Sequence, residues 1–448
     1  MLYCRAVKRT EPPAPNFLLR WSLQALVAGV FGALIVQSFS RLLNAMTTRL
    51  GAEPLTSLIG AVIGAFLVGL VVYRIAPGAA GEGIPAYLQS LRTEGATLSL
   101  KDTVLKYPAA LLTLGLFGSG GLVGPVGRVA AGTSQGFTLL FQQLLPDLFA
   151  DHEHHHAQYH APTTAAICGM AAAVAAIFGA PVAGAVFAVE VIQTDQLRYQ
   201  HIFPASMAAG TAVFMSKLFG WSPLFLFRVP AFEADLFIFL PVVFVGFASG
   251  GMSVVYTSFY QMMARKFRRH QIRPPLSSLV LGMVGASVLG ILVSPSLNGV
   301  SRPLFDALAT GDLASLSIAA IPSVEWTIPI LVIIIAGKMV GNVITTGSGM
   351  SAGFTGPAVI TGMAGGALIA EIIGVAAGTP GYYTLLASGL SGMLAGMINT
   401  PLAGAILVVE LFGAGYGVPA AISTMLAFQV ARSSTIYETA LKERSLRR

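Results

Sequence analysis

GMAAAVAAIFGAPVAGAVFAVE, Gly169 to Glu190, aligns without a gap on GLSGMLAGMINTPLAGAILVVE, Gly389 to Glu410. Gly169 matches Gly389, Pro181 matches Pro401, Ala183 and Gly184 match Ala403 and Gly404, and Glu190 matches Glu410. Upstream of each copy stands the same short motif, GxxGP, as GLVGP (Gly121 to Pro125) and as GFTGP (Gly353 to Pro357). The spacing from motif to repeat is twelve residues longer in the first half, which alone carries the polar run DHEHHHAQYH, so a loop insertion accounts for the difference. The chain reads as two related halves divided near Phe232 to Leu240. Whether they run parallel or inverted is left open by the pattern.

Composition says where such a chain resides. Of 448 residues, 55% are hydrophobic and 10% charged, with a mean hydropathy of +0.75, which excludes an ordinary soluble domain. Apolar runs recur from Leu23–Phe39 to Val418–Val430; Val104–Phe117 is short for a ~20-residue span and Tyr382–Phe412 long, so tilted and broken helices are expected. No alternating strands of the outer-membrane type occur, and the backbone must satisfy itself in helices. The expected fold is an all-α polytopic membrane protein.

Lys and Arg flank the apolar runs in RAVKRTEPPAPNFLLRW, LRTEGATLSLKDTVLKY, MARKFRRHQIRPP and YETALKERSLRR, which puts both termini on the cytoplasmic side of a multi-pass protein in a bacterial inner (plasma) membrane. The net charge of +7 then faces lipid and not nucleic acid. Cys4 and Cys168 have no metal-type spacing and imply no disulfide framework. The organisation expected is a basic segment at 1–20, membrane halves at 21–235 and 236–431, and a pore-lining and cytoplasmic segment at 432–448 with no appended regulatory domain.

The glycine motifs carry chemistry. A helix that starts inside a membrane leaves its first N–H groups without intrahelical partners and with partial positive charge, so an anion can take them up. Glycines let a ligand approach the backbone, and proline at the first helical position needs no N–H. GEGIP (Gly81, Glu82, Gly83, Ile84, Pro85), GLVGP and GFTGP fit, with LNGVSRP (Leu297 to Pro303) a weaker case. Glycines that only ease helix crossing and prolines that only kink would explain any one motif. They explain less well two matched copies plus a third.

These residues resemble the CLC family of chloride channels and proton-coupled chloride transporters: GEGIP, GLVGP, GFTGP, the two AGA…VE helices and STIYETAL follow the family's order over nearly the whole chain. The family's signatures are GSGIP, GREGP, GxFxP and a tyrosine on the last helix. The resemblance implies an inverted repeat, a homodimer with one pore per subunit, and chloride as the bound substrate ion with no other cofactor. It further implies that the N–H groups of Phe354 and Thr355 and the hydroxyl of Tyr437 hold a central anion, while Leu122, Val123, Gly124 and Gly356 frame an outer site.

Three departures bear on mechanism. The glutamate of GREGP, which gates and carries protons in the family, is Val123 here, and the second proton glutamate of the antiporters is Val191, after Glu190. Proton coupling by the usual route is then expected to be lost. The serine of GSGIP is Glu82. An ionised carboxylate 4 Å from an anion would repel it by roughly 4 kcal/mol at an effective dielectric constant of ~20. Protonation of Glu82, pairing with Arg128 or Lys338, or a turn toward the cytoplasmic mouth would each offset that. Val123 and Glu82 are therefore the gate candidates, and Glu82 reads either as a relocated gate in the ion path or as a vestibule residue that tunes conductance. Thr355 stands where the family's third motif has its aromatic, which adds a hydroxyl beside the pore.

Glu190 and Glu410, at matched helix ends, read as capping or pairing groups. Arg128 reads as a snorkelling or paired arginine, and His152 to His160 as a loop feature with no second ligand set. No HExxH or GxSxG points to an intramembrane enzyme. The expected function is a CLC-type anion channel or uncoupled anion transporter for small monovalent anions; the alternative is a proton/anion antiporter that uses Glu82 as its proton carrier.

Overall fold

The computed structural model describes residues 15–51, 53–93, 97–144, 161–192, 199–225, 228–268, 275–316, 327–432 and 435–437. The His152–His160 run, the basic head before Pro15 and the tail after Tyr437 lie outside the described residues. The first half holds α1 (Pro15–Leu50), α2 (Pro54–Leu70), α3 (Ile84–Arg92), α4 (Leu100–Gly115), α5 (Val123–Leu144), α6 (Ala161–Phe178), α7 (Pro181–Glu190) and α8 (Ile202–Leu218). The second holds α9 (Phe239–Arg268), α10 (Leu276–Leu292), α11 (Arg302–Thr310), α12 (Thr327–Ser348), α13 (Thr355–Ile373), α14 (Pro380–Met393), α15 (Pro401–Phe412) and α16 (Gly417–Ala431). Among the described residues there is no strand, only the isolated bridges Ser119 to Gly299 and Gly121 to Gly353.

Seven of the described helices are long and apolar enough to cross a membrane. α1 alone has 36 residues, about 54 Å at 1.5 Å per residue, well beyond the thickness of a hydrocarbon core. α3, α7, α11 and α15 are short and begin with proline at N1 or N2, as the broken-helix expectation required. α6 is buried nearly all round by other helices, whereas α9 leaves Phe244, Phe247 and Val255 exposed, a surface that only lipid tails would cover without cost.

The matched glutamates fix how the halves are related. Glu190, at the end of α7, accepts from the Leu402 and Ala403 N–H groups that open α15 (2.9 and 2.8 Å). Glu410, in the last turn of α15, accepts from Val182 and Ala183 at the start of α7 (3.0 and 2.8 Å). Each helix's end meets its counterpart's beginning, which requires the two to run antiparallel, so these matched elements are inverted with respect to each other. The four bonds satisfy orphan amides with carboxylates, and hydrogen bonds to charged groups contribute about 1.5–3 kcal/mol each.

The repeat glycines have a separate task. Gly169 of α6 lies against the Ala130 carbonyl of α5, and Gly389 of α14 against Gly362 of α13, so closely that a methyl at either place would overlap backbone. The helices that begin at the two GxxGP motifs are thereby clamped by the helices that begin the repeat.

Candidate anion-binding site

The two GxxGP turns meet at the centre. Gly121 N–H donates to Gly353 O (2.8 Å) and Gly353 N–H to Gly121 O (2.7 Å), a two-residue antiparallel bridge between the halves. The flanks exchange hydroxyl caps in the same paired way: Thr345 Oγ1 accepts from Ser119 N–H (3.1 Å), and Thr113 Oγ1 from Ser351 N–H (3.2 Å). Asn342 Nδ2 donates to Ser119 O (3.3 Å) and Gly353 O (3.1 Å), while its Oδ1 accepts from Tyr256 OH (2.7 Å). Sequence reading did not single out Asn342 or Tyr256, because an Asn on an apolar helix carries no motif.

From this bridge α5 leaves at Val123 and α13 at Thr355, and α3 starts beside them at Ile84. Gly83 at φ 125° turns the chain into α3, and its backbone lies against the Gly124 carbonyl with no room for a side chain. Three helix N-termini thus converge, each equivalent to roughly half a positive charge. Val123 is 1% exposed and Leu122 2% exposed, both packed in the core.

Glu82 fills the focus of that convergence. Its Oε2 accepts from Ile84 N–H (2.6 Å), its Oε1 from Tyr437 OH (3.3 Å), and the Phe354 N–H is directed at the same carboxyl. Tyr437 OH also lies 3.3 Å from Thr355 Oγ1. A methyl on Gly124 would overlap the carboxyl, so the side chain is seated against the start of α5 as well. The donors that the family resemblance assigned to a central anion, Phe354 N–H and Tyr437 OH, therefore face a carboxylate of the protein itself. Tyr260 packs edge-on against Phe354, centroids 4.8 Å apart, and backs the start of α13.

Three expectations for Glu82 do not hold. At 5% exposure it is not on a vestibule surface, and it does not turn out toward the mouth. Nor is Lys338 its counter-charge: Lys338 Nζ donates to Ser119 Oγ (3.0 Å), Leu297 O (3.2 Å) and Gly299 O (3.4 Å). The nearby cation is Lys106 of α4, fully buried, whose Nζ donates to Ala79 O (3.0 Å) and to Gly81 O, the residue before Glu82. Arg128 reaches Gly78 O and so braces the loop that leads into α3. Val191 closes α7, buried, one residue beyond the Glu190 cap. Among the described residues no group of His, Cys, Asp and Glu is arranged to hold a metal ion.

Long apolar spans around an inverted pair of broken helices define a class: all-helical, multi-span membrane proteins. The chain matches the family described as voltage gated chloride channel over residues 64–432, and it belongs to that CLC family. Its fold is shared with a CLC-type fluoride/proton antiporter (TM-score 0.79, 19% identity, 96% of this chain and 99% of that one). A slow cyanobacterial Cl−/H+ antiporter gives TM-score 0.75 at 20% identity over 95% and 97% of the two chains. A chloride/fluoride channel protein of Pseudomonas syringae pv. tomato is 25% identical over 271 residues; the alignment spans 60% of this chain and 56% of that protein.

Proposed function

We propose that this protein is an anion channel or uncoupled anion transporter in which Glu82 is the gate. The observation that carries the reading is the seat of the Glu82 carboxyl on Ile84 N–H, Phe354 N–H and Tyr437 OH. A carboxylate there satisfies the donors an incoming anion needs and repels that anion. Protonated and swung away, the same side chain frees the Phe354 amide and the Tyr437 hydroxyl, and Lys106 and the three helix starts supply the compensating positive potential. Leu122, Val123, Gly124, Thr355 and Gly356 would then frame the rest of the path, while Gly81, Gly83 and Pro85 shape the turn that presents Glu82. Val123 and Val191 hold no proton, so transport need not be coupled.

Chloride is the favoured substrate, with fluoride and other small monovalent anions next, since relatives carry names that mention both halides. A homodimer in a bacterial inner membrane with both termini cytoplasmic completes the reading and rests on the resemblance and the basic flanks. The test is flux from liposomes loaded with chloride: anion efflux without stoichiometric proton uptake is expected, and a fixed anion-to-proton ratio would defeat it. The second reading, proton/anion antiport through Glu82, is favoured by the burial of this carboxyl within the site. Under it, Glu82→Gln abolishes proton movement and leaves anion flux; under the first, the variant only opens the path.

A further inference from the structure

The head of α11 repeats the backbone turn at the head of α3. Gly299, Ser301 and Pro303 stand where Gly81, Gly83 and Pro85 stand, and both left-handed positions are kept, φ 57° and 56° against 73° and 125°. Lys338 braces the carbonyls of Leu297 and Gly299 as Lys106 braces those of Ala79 and Gly81. Three residues differ in kind: Val300, Ser301 and Arg302 replace Glu82, Gly83 and Ile84. Glu82 turns back on the first free amide of α3, whereas Val300 offers nothing to α11, and the Ser301 side chain does not cap that helix.

A second observation points to a ligand. Ser301 is 1% exposed and its Oγ has no hydrogen-bond partner, although it lines a cavity of about 860 Å³ at the C-terminal end of α1. Arg41 and Arg302 line the same cavity, with Gln37 and Asn44, and no Asp or Glu does. Arg302 pairs with Asp306 one turn along (3.4 Å), but both are about half exposed, a geometry that holds a cation only loosely. Arg41 lies over the Trp221 ring at 5.7 Å, with its N–H edge free for another acceptor. Asn298, also in the wall, has an unpartnered Oδ1, and a turn of its amide would present Nδ2 instead.

We infer that this cavity binds a small anion, held by the open amides of α11, the Ser301 hydroxyl and the guanidinium groups of Arg41 and Arg302. α1 begins at the basic head and ends here, so the site lies on the opposite face of the membrane from that head. It is separate from the donors around Glu82 and does not depend on the chain conducting. The cavity is large for a bare halide and accommodates a hydrated one or a small carboxylate.

Crystals of the full-length protein soaked in bromide, with the ion located by its anomalous scattering, test this. Bromide is expected within hydrogen-bonding distance of Ser301, and Ser301→Gly combined with Arg302→Gln is expected to remove that peak while bromide in the pore remains. In detergent, the same double variant should weaken bromide binding at this site about tenfold or more, the loss of the Ser301 hydroxyl and the Arg302 guanidinium together. Displacement of the Ser301 bromide by millimolar acetate assigns the cavity to a carboxylate; bromide that withstands acetate assigns it to the halide. An empty cavity beside an occupied pore, or a peak that persists in the variant, overturns the inference. Bromide at Ser301 with none in the pore would overturn the pore reading and leave this one standing.

Discussion

At the head of α3 the first free amide is closed by a carboxyl from the same turn; at the head of α11 the corresponding amide has only Val300 before it. The two turns share their left-handed backbone positions and a lysine that ties down two carbonyls, while Ser301 and Arg302 replace Gly83 and Ile84. Under the two proposals architecture and occupancy are separable: the backbone builds the same turn twice, and one side chain decides whether the protein itself fills the seat.

The largest test of this comparison is on the lysines. Lys106→Met leaves two buried carbonyls unsatisfied and Glu82 without its counter-charge, and should lower stability by about 3–5 kcal/mol. Lys338→Met strands no carboxylate, and Leu297 O keeps the Ser119 hydroxyl and Gly299 O the Gly120 N–H as donors, so it should cost only about 1–3 kcal/mol. Thermal unfolding of the detergent-solubilised protein measures both; equal losses would break the asymmetry.

Glu82→Gln comes next. It keeps the shape and removes the charge, so chloride flux at neutral pH should rise about tenfold or more, the Coulomb repulsion at close range being several kcal/mol before screening. Wild-type flux should rise as pH falls, because a neutral carboxyl neither repels the anion nor competes for its donors, and the Gln variant should be flat in pH. Flux that falls with acid in the wild type would remove Glu82 from the gate. Tyr437→Phe deletes one donor at 3.3 Å and should weaken apparent chloride affinity about fivefold, near 1 kcal/mol. Smallest is Val300→Glu, which writes the α3 solution into α11. A gain of about 1 kcal/mol in stability is expected from the new cap, together with loss of bromide at Ser301 in the diffraction experiment.

Much of the fold was legible because it is spelled twice. The gapless match of Gly169–Glu190 with Gly389–Glu410 announced paired helices, and the matched Glu190 and Glu410 announced their pairing. The repeat pattern left the sense open; the family resemblance implied inversion, and the amides those carboxylates cap bear it out for these helices. The helix starts at Gly81, Gly121 and Gly353 were readable from glycine and proline alone, since few other residues allow such a turn. Lys106 was not, because LKDTVLKYP reads as a basic rim and nothing local says that α4 folds its lysine back onto a loop 25 residues earlier. The direction of Glu82 was equally hidden, since a side chain's rotamer is chosen by neighbours such as Gly124 and Tyr437 that are distant in sequence.

The crossed glutamate caps between α7 and α15 restrict how this molecule can work. Sliding or tilting one half against the other would pull Glu190 off Leu402 and Ala403 and Glu410 off Val182 and Ala183 at the same time, and would tear the Gly121–Gly353 bridge between them. A rocking cycle would have to break all of these contacts together at every turnover. Under the proposed gating, passage of an ion is managed by what is free to rotate inside a stationary frame, which leaves the work to single side chains.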